Sequence, residues 1–235
     1  MNNAPHPRRQ QQFAPYHAPL LMAKARAHAA TGEGLVALVL SVAASEAFLQ
    51  DIYGFYQLCH EHEAACPNRQ RRGILQRPAG NCFSPLHAYG EREKRIRDSI
   101  GENERGEHLD KYVVLHECLG SVADKGRAPF QSMNTVITIR NALVHPKGEL
   151  LVRDQQHPGL RGYPRFIAQV KQLKLIGPDD EDSGISWMQR IDNERFGRWC
   201  VKSVAAMLAL TLDLLPREGV SPLLVEAMGD PTSWS

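Results

Sequence analysis

The chain has 235 residues, 43% of them hydrophobic and 23% charged, with a formal net charge of +2. That is enough apolar material for one sizeable buried core and too little length for two comfortable domains, and it excludes a wholly disordered chain. So small a charge also excludes a uniformly basic nucleic-acid coat and leaves room only for a local basic site.

Residues 1–18 are rich in Pro, Gln and Asn and nearly lack periodic apolar residues, so a flexible arm is expected there. No apolar core follows Met1, and Pro5 interrupts early, so no signal peptide is expected. The folded domain is expected over 19–216, opening with a short helix over 19–30 that Thr31–Gly34 breaks. From Leu35 to about Glu63 runs the strongest helical segment, with Leu35, Leu38, Val42, Leu49, Ile52 and Tyr56 recurring at helical spacing. Its most apolar part, Leu35–Leu49, contains Glu46 and is too short to cross a bilayer, so no membrane span is expected.

Pro, Gly, Asn and Arg over 66–85 predict a loop, and 86–105 is polar nearly all round, as in a solvated helix or a mobile insert. A helix over about 108–123 carries Leu109, Tyr112, Val113, His116, Leu119 and Ala123 on one face. The next starts at Pro129 and ends near His145, because Pro146 disfavours helical geometry at the residue before it. A shorter helix is expected over 164–174, then the acidic loop Gly177–Gly184, then a long helix from Glu194 to Leu215. Phe196, Trp199, Cys200, Val204, Met207, Leu208 and Thr211 form its core stripe, and Pro216 stops it. A C-terminal tail, 217–235, is expected beyond. The only strand signal is a weak one at Leu150–Val152. The fold class is therefore all-α, an antiparallel helical bundle with a loop-rich insert after the first long helix.

Five cysteines (Cys59, Cys66, Cys82, Cys118 and Cys200) are an odd number in a chain that needs no staples, which fits reduced thiols in a cytoplasm. Cys59, His60, His62, Cys66, Cys82 and His87 cluster in sequence, but without the tight cysteine pairs of a zinc finger. Neither a metal nor a cofactor is expected.

The helix at 130–145 carries the chemical signal. Phe130, Met133, Ile137 and Val144 form one apolar row, and Arg140 falls inside it, between Ile137 and Val144. A guanidinium keeps its charge, so that position is costly unless an anion or a cleft meets it. Asn134, Thr138, Asn141 and His145 step by four, three and four into one narrow polar ridge. His145 ends the helix, where the macrodipole favours an imidazolium. Arg140 and His145 diverge by about 140° around the axis, so two copies across a dimer axis would surround one phosphate better than one.

Arg140-Asn141-Ala142-Leu143-Val144-His145 resembles the Arg-x4-6-His motif of the HEPN superfamily of helical nucleases. Ser45-Glu46-Ala47-Phe48 is similar to the small-Glu-aromatic pattern of that family's opening helix, and the order of helices over roughly 33–215 fits. Pro146 departs from the glycine that many relatives carry there. The resemblance implies a homodimeric, metal-independent RNA endonuclease, a toxin or phage-defence effector with an antitoxin or defence-system partner. Members that keep the fold without activity imply the alternative, a non-catalytic module binding a nucleotide, a nucleic acid or a protein. A weaker third alternative is a helical subunit that only supports a neighbouring nucleotidyltransferase or antitoxin.

On the RNA reading, His145 is the proton shuttle, Arg140 the phosphate clamp, and Asn141 holds a phosphate oxygen or orients His145. Thr138, Asn134 and Lys147 are the candidate substrate contacts. Glu46 either pairs with an arginine inside the bundle or orients Arg140 or His145. Asp51 is expected to be a solvated helix residue, His116 a core or interface histidine, and Trp199 core. Arg69, Arg71, Arg72 and the Arg92–Arg97 run are read first as solvated basic faces and second as RNA contacts.

Overall fold

Small residues at helical spacing decide how the first two helices meet. The computed structural model describes residues 16–65, 89–145, 164–176 and 186–234. Within them, α1 (His17–Ala30) buries Ala18, Met22, Ala25 and Ala29, spaced four, three and four apart. That stripe lets it lie close to α2 (Gly34–Ala65), reached through a turn in which Gly32 takes a φ of 85°. The same stripe meets α8 (Glu194–Leu214) at Gly197, where an added Cβ would stand 3.0 Å from that of Ala29 and 3.3 Å from that of Ala37.

Helix α2 is the axis of the fold and packs on α1, α8, α3 (Glu91–Glu102), α5 (Phe130–Val144) and α7 (Trp187–Ile191). Its fully buried residues include Leu38, Val42, Phe48, Ile52 and Tyr56. Its first turn is seated on the link between α7 and α8, where Asp192 Oδ1 accepts the Leu35 amide at 3.0 Å. The remaining elements are α4 (His108–Cys118), on α3 and α5, α6 (Phe166–Gln172), on α5, α9 (Ser221–Met228), and a 3₁₀ turn (Pro231–Trp234) on α8 and α1. The described residues are helical, with no strand among them.

Contacts at the ends fix the directions. Helix α2 starts beside the start of α8, and Tyr56, late in α2, reaches Ser221 beyond the end of α8 (2.8 Å), so these two run parallel. Phe130, at the start of α5, stacks edge-on against His116, whose Nε2 lies 3.0 Å from Thr211 late in α8. Arg140, late in α5, meets Glu46 in the first half of α2. Helix α5 is therefore antiparallel to both.

Several sequence expectations change here. The expected tail is folded over its described residues, 217–234: Val220, Leu224 and Met228 are buried, and Ser221 links Tyr56 to the buried carboxylate of Glu93 (3.3 Å). Its apolar residues follow Pro216, which stops α8 without ending the domain. Helix α3, in the segment expected to be a solvated helix or a mobile insert, buries Ile96 and Ile100, a stripe too narrow to stand out among eight charged neighbours. Helix α1 starts at His17, inside the expected arm, because Asp51 caps it: Oδ2 accepts the amides of His17 and Ala18, each at 2.9 Å. Asp51 is thus a buried cap and not a solvated residue. Helix α4 stops at Cys118, short of 123, where Gly120 turns with a φ of 80°. Helix α2 continues past Leu49, so residues 34–61 are long and apolar enough to cross a membrane by length and composition, contrary to the sequence expectation. Half of the most apolar stretch is nevertheless buried inside the protein, as in a core helix. The 66–85 loop, the acidic loop and Leu150–Val152 lie outside the described residues.

Ending the chain at Arg217 should therefore destabilise it, because Val220, Leu224 and Met228 each contribute ~1.5–3 kcal/mol by burial. The melting temperature should fall by more than about 10 °C. An unchanged melting curve would mean that the segment is a tail after all.

Candidate functional site

Apolar periodicity builds α5 and exposes one polar edge of it. Phe130, Met133, Val136, Ile137 and Ile139 are buried, whereas Asn134, Thr138, Asn141 and His145 are all exposed. The ridge read from the sequence is a surface ridge. Arg140 stands beside it with its side chain 24% exposed.

The anion that position requires is Glu46. Arg140 Nη2 donates to Glu46 Oε1 at 2.6 Å, and Arg140 Nη1 donates to Asn141 Oδ1 at 3.0 Å. Asn141 thus turns its side chain to Arg140 and not to His145, which meets Asn141 only through a backbone bond of 2.9 Å. The ring of His145 is exposed and has no hydrogen-bond or ion-pair partner among the described residues. One chain brings Arg140, Asn141 and Glu46 together and leaves His145 apart. Lys147 lies outside the described residues.

Sequence reading missed His108, at the first turn of α4. Its Nε2 lies 2.9 Å from Ser45 Oγ, and its Nδ1 lies 3.3 Å from Glu46 Oε1, near but not aligned for a hydrogen bond. Burial, then the charges of Arg140 and Lys111, push the imidazole pKa down to about 4, so it is neutral near pH 7. The Ser45 hydroxyl also sits 2.7 Å from the Val42 carbonyl, and its single hydrogen cannot serve both partners. Turned to Nε2, it leaves the ring hydrogen on Nδ1, facing the carboxylate. That tautomer avoids setting a bare nitrogen against an anion. Tyr112 completes the support: its hydroxyl donates to the Ser45 carbonyl at 2.8 Å, and its ring stacks on His108. A signal was present in the sequence, since His108 precedes Tyr112 by one helical turn, but nothing local tied it to Ser45 and Glu46, 63 and 62 residues away.

The remaining candidates have other surroundings. His116 is fully buried, with its pKa pushed down to about 4 by burial. Trp199 is half-buried beside Phe196. Arg97 pairs with Asp98 at 2.5 Å, and Arg92 and Arg95 are exposed on α3. Arg69, Arg71 and Arg72 lie outside the described residues, as do Cys66, Cys82 and His87. Cys59 is buried, and burial pushes its thiol up to about 12. Among the described residues no group of His, Cys, Asp and Glu could hold a metal ion.

No family model, no curated protein and no solved structure matches this chain.

His108 and His116 titrate near 6.5 when unfolded and near 4 when folded. The unfolded chain binds more protons between those values, so stability is full above about pH 6.5 and falls as the pH drops toward 4. Urea midpoints from pH 7.5 to 4.5 should show this fall, flattened in a His108→Asn/His116→Asn double variant. An equally steep fall in the double variant would assign it to other groups.

Proposed function

We propose that the protein is a HEPN-like, metal-independent RNA endonuclease, cytoplasmic and homodimeric, acting as a toxin or defence effector. The observation that carries this reading is Arg140: a permanent cation in an apolar helix row, tethered to a half-exposed Glu46 and to Asn141, at the edge of an exposed ridge ending in His145. A carboxylate on the water side of a guanidinium occupies the place a phosphate can take by exchange. In the reaction, the RNA 2′-oxygen forms a bond to the adjacent phosphorus and the bond to the 5′-oxygen breaks. One imidazole accepts the 2′-hydroxyl proton and another donates a proton to the leaving 5′-oxygen, while Arg140 balances the phosphorane charge. The products are a 2′,3′-cyclic phosphate and a 5′-hydroxyl.

A dimer supplies both imidazoles. Val39, two turns before Glu46 on the same side of α2, and Val144, one turn after Arg140 on α5, are 39% and 51% exposed. This apolar surface beside the site suits a self-complementary contact. A second reading, a non-catalytic HEPN module that binds a nucleotide, nucleic acid or protein partner, is favoured by one observation. The His145 ring stands apart from Arg140 within a single chain.

The test is cleavage of single-stranded RNA by purified protein in excess chelator, with the products' ends mapped. Wild type should cut and leave cyclic phosphate ends, specific activity should fall on dilution below the dimer dissociation constant, and His145→Ala should lose at least about 10²-fold in rate. Cleavage by His145→Ala at the wild-type rate would defeat the ribonuclease reading. Undiminished activity per chain in a monomer would defeat the shared site.

A further inference from the structure

Helices α1 and α8, which touch at Ala29 and Gly197, line a groove of about 680 Å³. Its α1 wall is a row of exposed alanines, Ala23, Ala27 and Ala30, spaced four and three apart. Val201 closes the floor from α8. The charged residues lining it, among the described residues, are all cations: Arg26 on α1, and Arg198 and Lys202 one turn apart on α8. Arg26 is fixed at one end by donating to the Ser233 carbonyl at 2.6 Å. Arg198 pairs within its own helix with Glu194 at 2.7 Å, across a pair more than half in water, and that weak contact is readily exchanged. Lys202 is exposed and has no ion pair among the described residues.

Both walls are continuous helices, and they meet closely at a glycine, where an added Cβ would stand 3.0 Å from that of Ala29. The groove is therefore preformed and costs little ordering on binding. Small side chains on one wall admit the close approach of a third backbone. Among the described residues no aromatic ring lines it to stack a base, which disfavours a single-stranded nucleic acid. An apolar floor between cationic rims fits a helix with apolar residues on one face and carboxylates beside them.

We infer that the α1–α8 groove is a docking site for an acidic amphipathic helix of a partner protein. Apolar side chains at i, i+3/i+4 and i+7 would lie along Ala23, Ala27, Ala30 and Val201, and carboxylates on the flanks would meet Arg26, Arg198 and Lys202. The site is separate from Arg140 and does not depend on RNA cleavage.

The experiment is amide chemical-shift mapping of the full chain against a two-heptad model peptide with leucine at the apolar positions and glutamate on both flanks. The controls are the same peptide with lysine for glutamate, and a uridine oligonucleotide. The expected result is saturable shifts centred on Ala23, Ala27, Ala30 and Val201. The lysine peptide and an Arg198→Glu/Lys202→Glu variant should each bind at least about tenfold more weakly. Ala27→Trp, which fills the groove without altering charge, should weaken the glutamate peptide as well; both variants are surface changes, checked by an unchanged melting temperature. Equal binding of the two peptides, shifts elsewhere, shifts by the oligonucleotide instead, self-association covering the same residues, or no binding at millimolar peptide would each overturn the proposal.

Discussion

A guanidinium set into the apolar row of a packed helix imposes the constraint from which the rest of the site follows. Arg140 cannot shed its charge, and with only about a quarter of its side chain exposed it takes its partner from a neighbouring helix. The longest apolar helix offers it at Glu46, the only charge in its first sixteen residues. Their 2.6 Å contact joins the late part of α5 to the first half of α2, and Asn141 meets the same cation. Helix α4 then joins through the residue next to Glu46: Ser45 takes His108 from one side and Tyr112 from the other. Helices far apart in sequence thus converge on two adjacent positions of α2.

Polarity is graded across this junction. Tyr112 and Ser45 are buried, His108 is nearly so and is held neutral, Arg140 is a quarter exposed, and Glu46 is half exposed. The carboxylate therefore has a dry, ordered side that faces the protein and a wet side that faces solvent. The dry side keeps the guanidinium oriented, and the wet side allows another anion to compete for it. Such an arrangement contributes little to stability, because a pair with one partner half in water is worth only about 0–1 kcal/mol.

Much of this was legible in the sequence because helices announce themselves through periodicity. The bounds of α2, α5 and α8, the exposed ridge from Asn134 to His145, and the need of Arg140 for an anion or a cleft all follow from spacing and from the cost of a charge in an apolar row. What escaped were pairings set by tertiary distance. His108 looks like an ordinary first-turn polar residue until α4 is laid against Ser45. Asp51 looks solvated until α1 folds back and uses it as a cap. The segment after Pro216 looks like a tail because a helix stop was read as a domain end, although Val220, Leu224 and Met228 carry a helical stripe. The charge-rich surface of α3 hid the two isoleucines that dock it.

Placing a cation where packing alone would choose a methionine makes sense if the cation serves an anion that arrives from outside. A structural arginine and a phosphate-binding arginine predict opposite results for one substitution. Arg140→Met keeps the length and apolar contact of the side chain and removes only the charge. Urea unfolding and RNA cleavage should be measured on the same preparation of this variant. On the present account, stability changes by less than about 1 kcal/mol while cleavage falls by at least about 10²-fold. A strongly destabilised variant, or a stable one that cuts RNA at the wild-type rate, would contradict it.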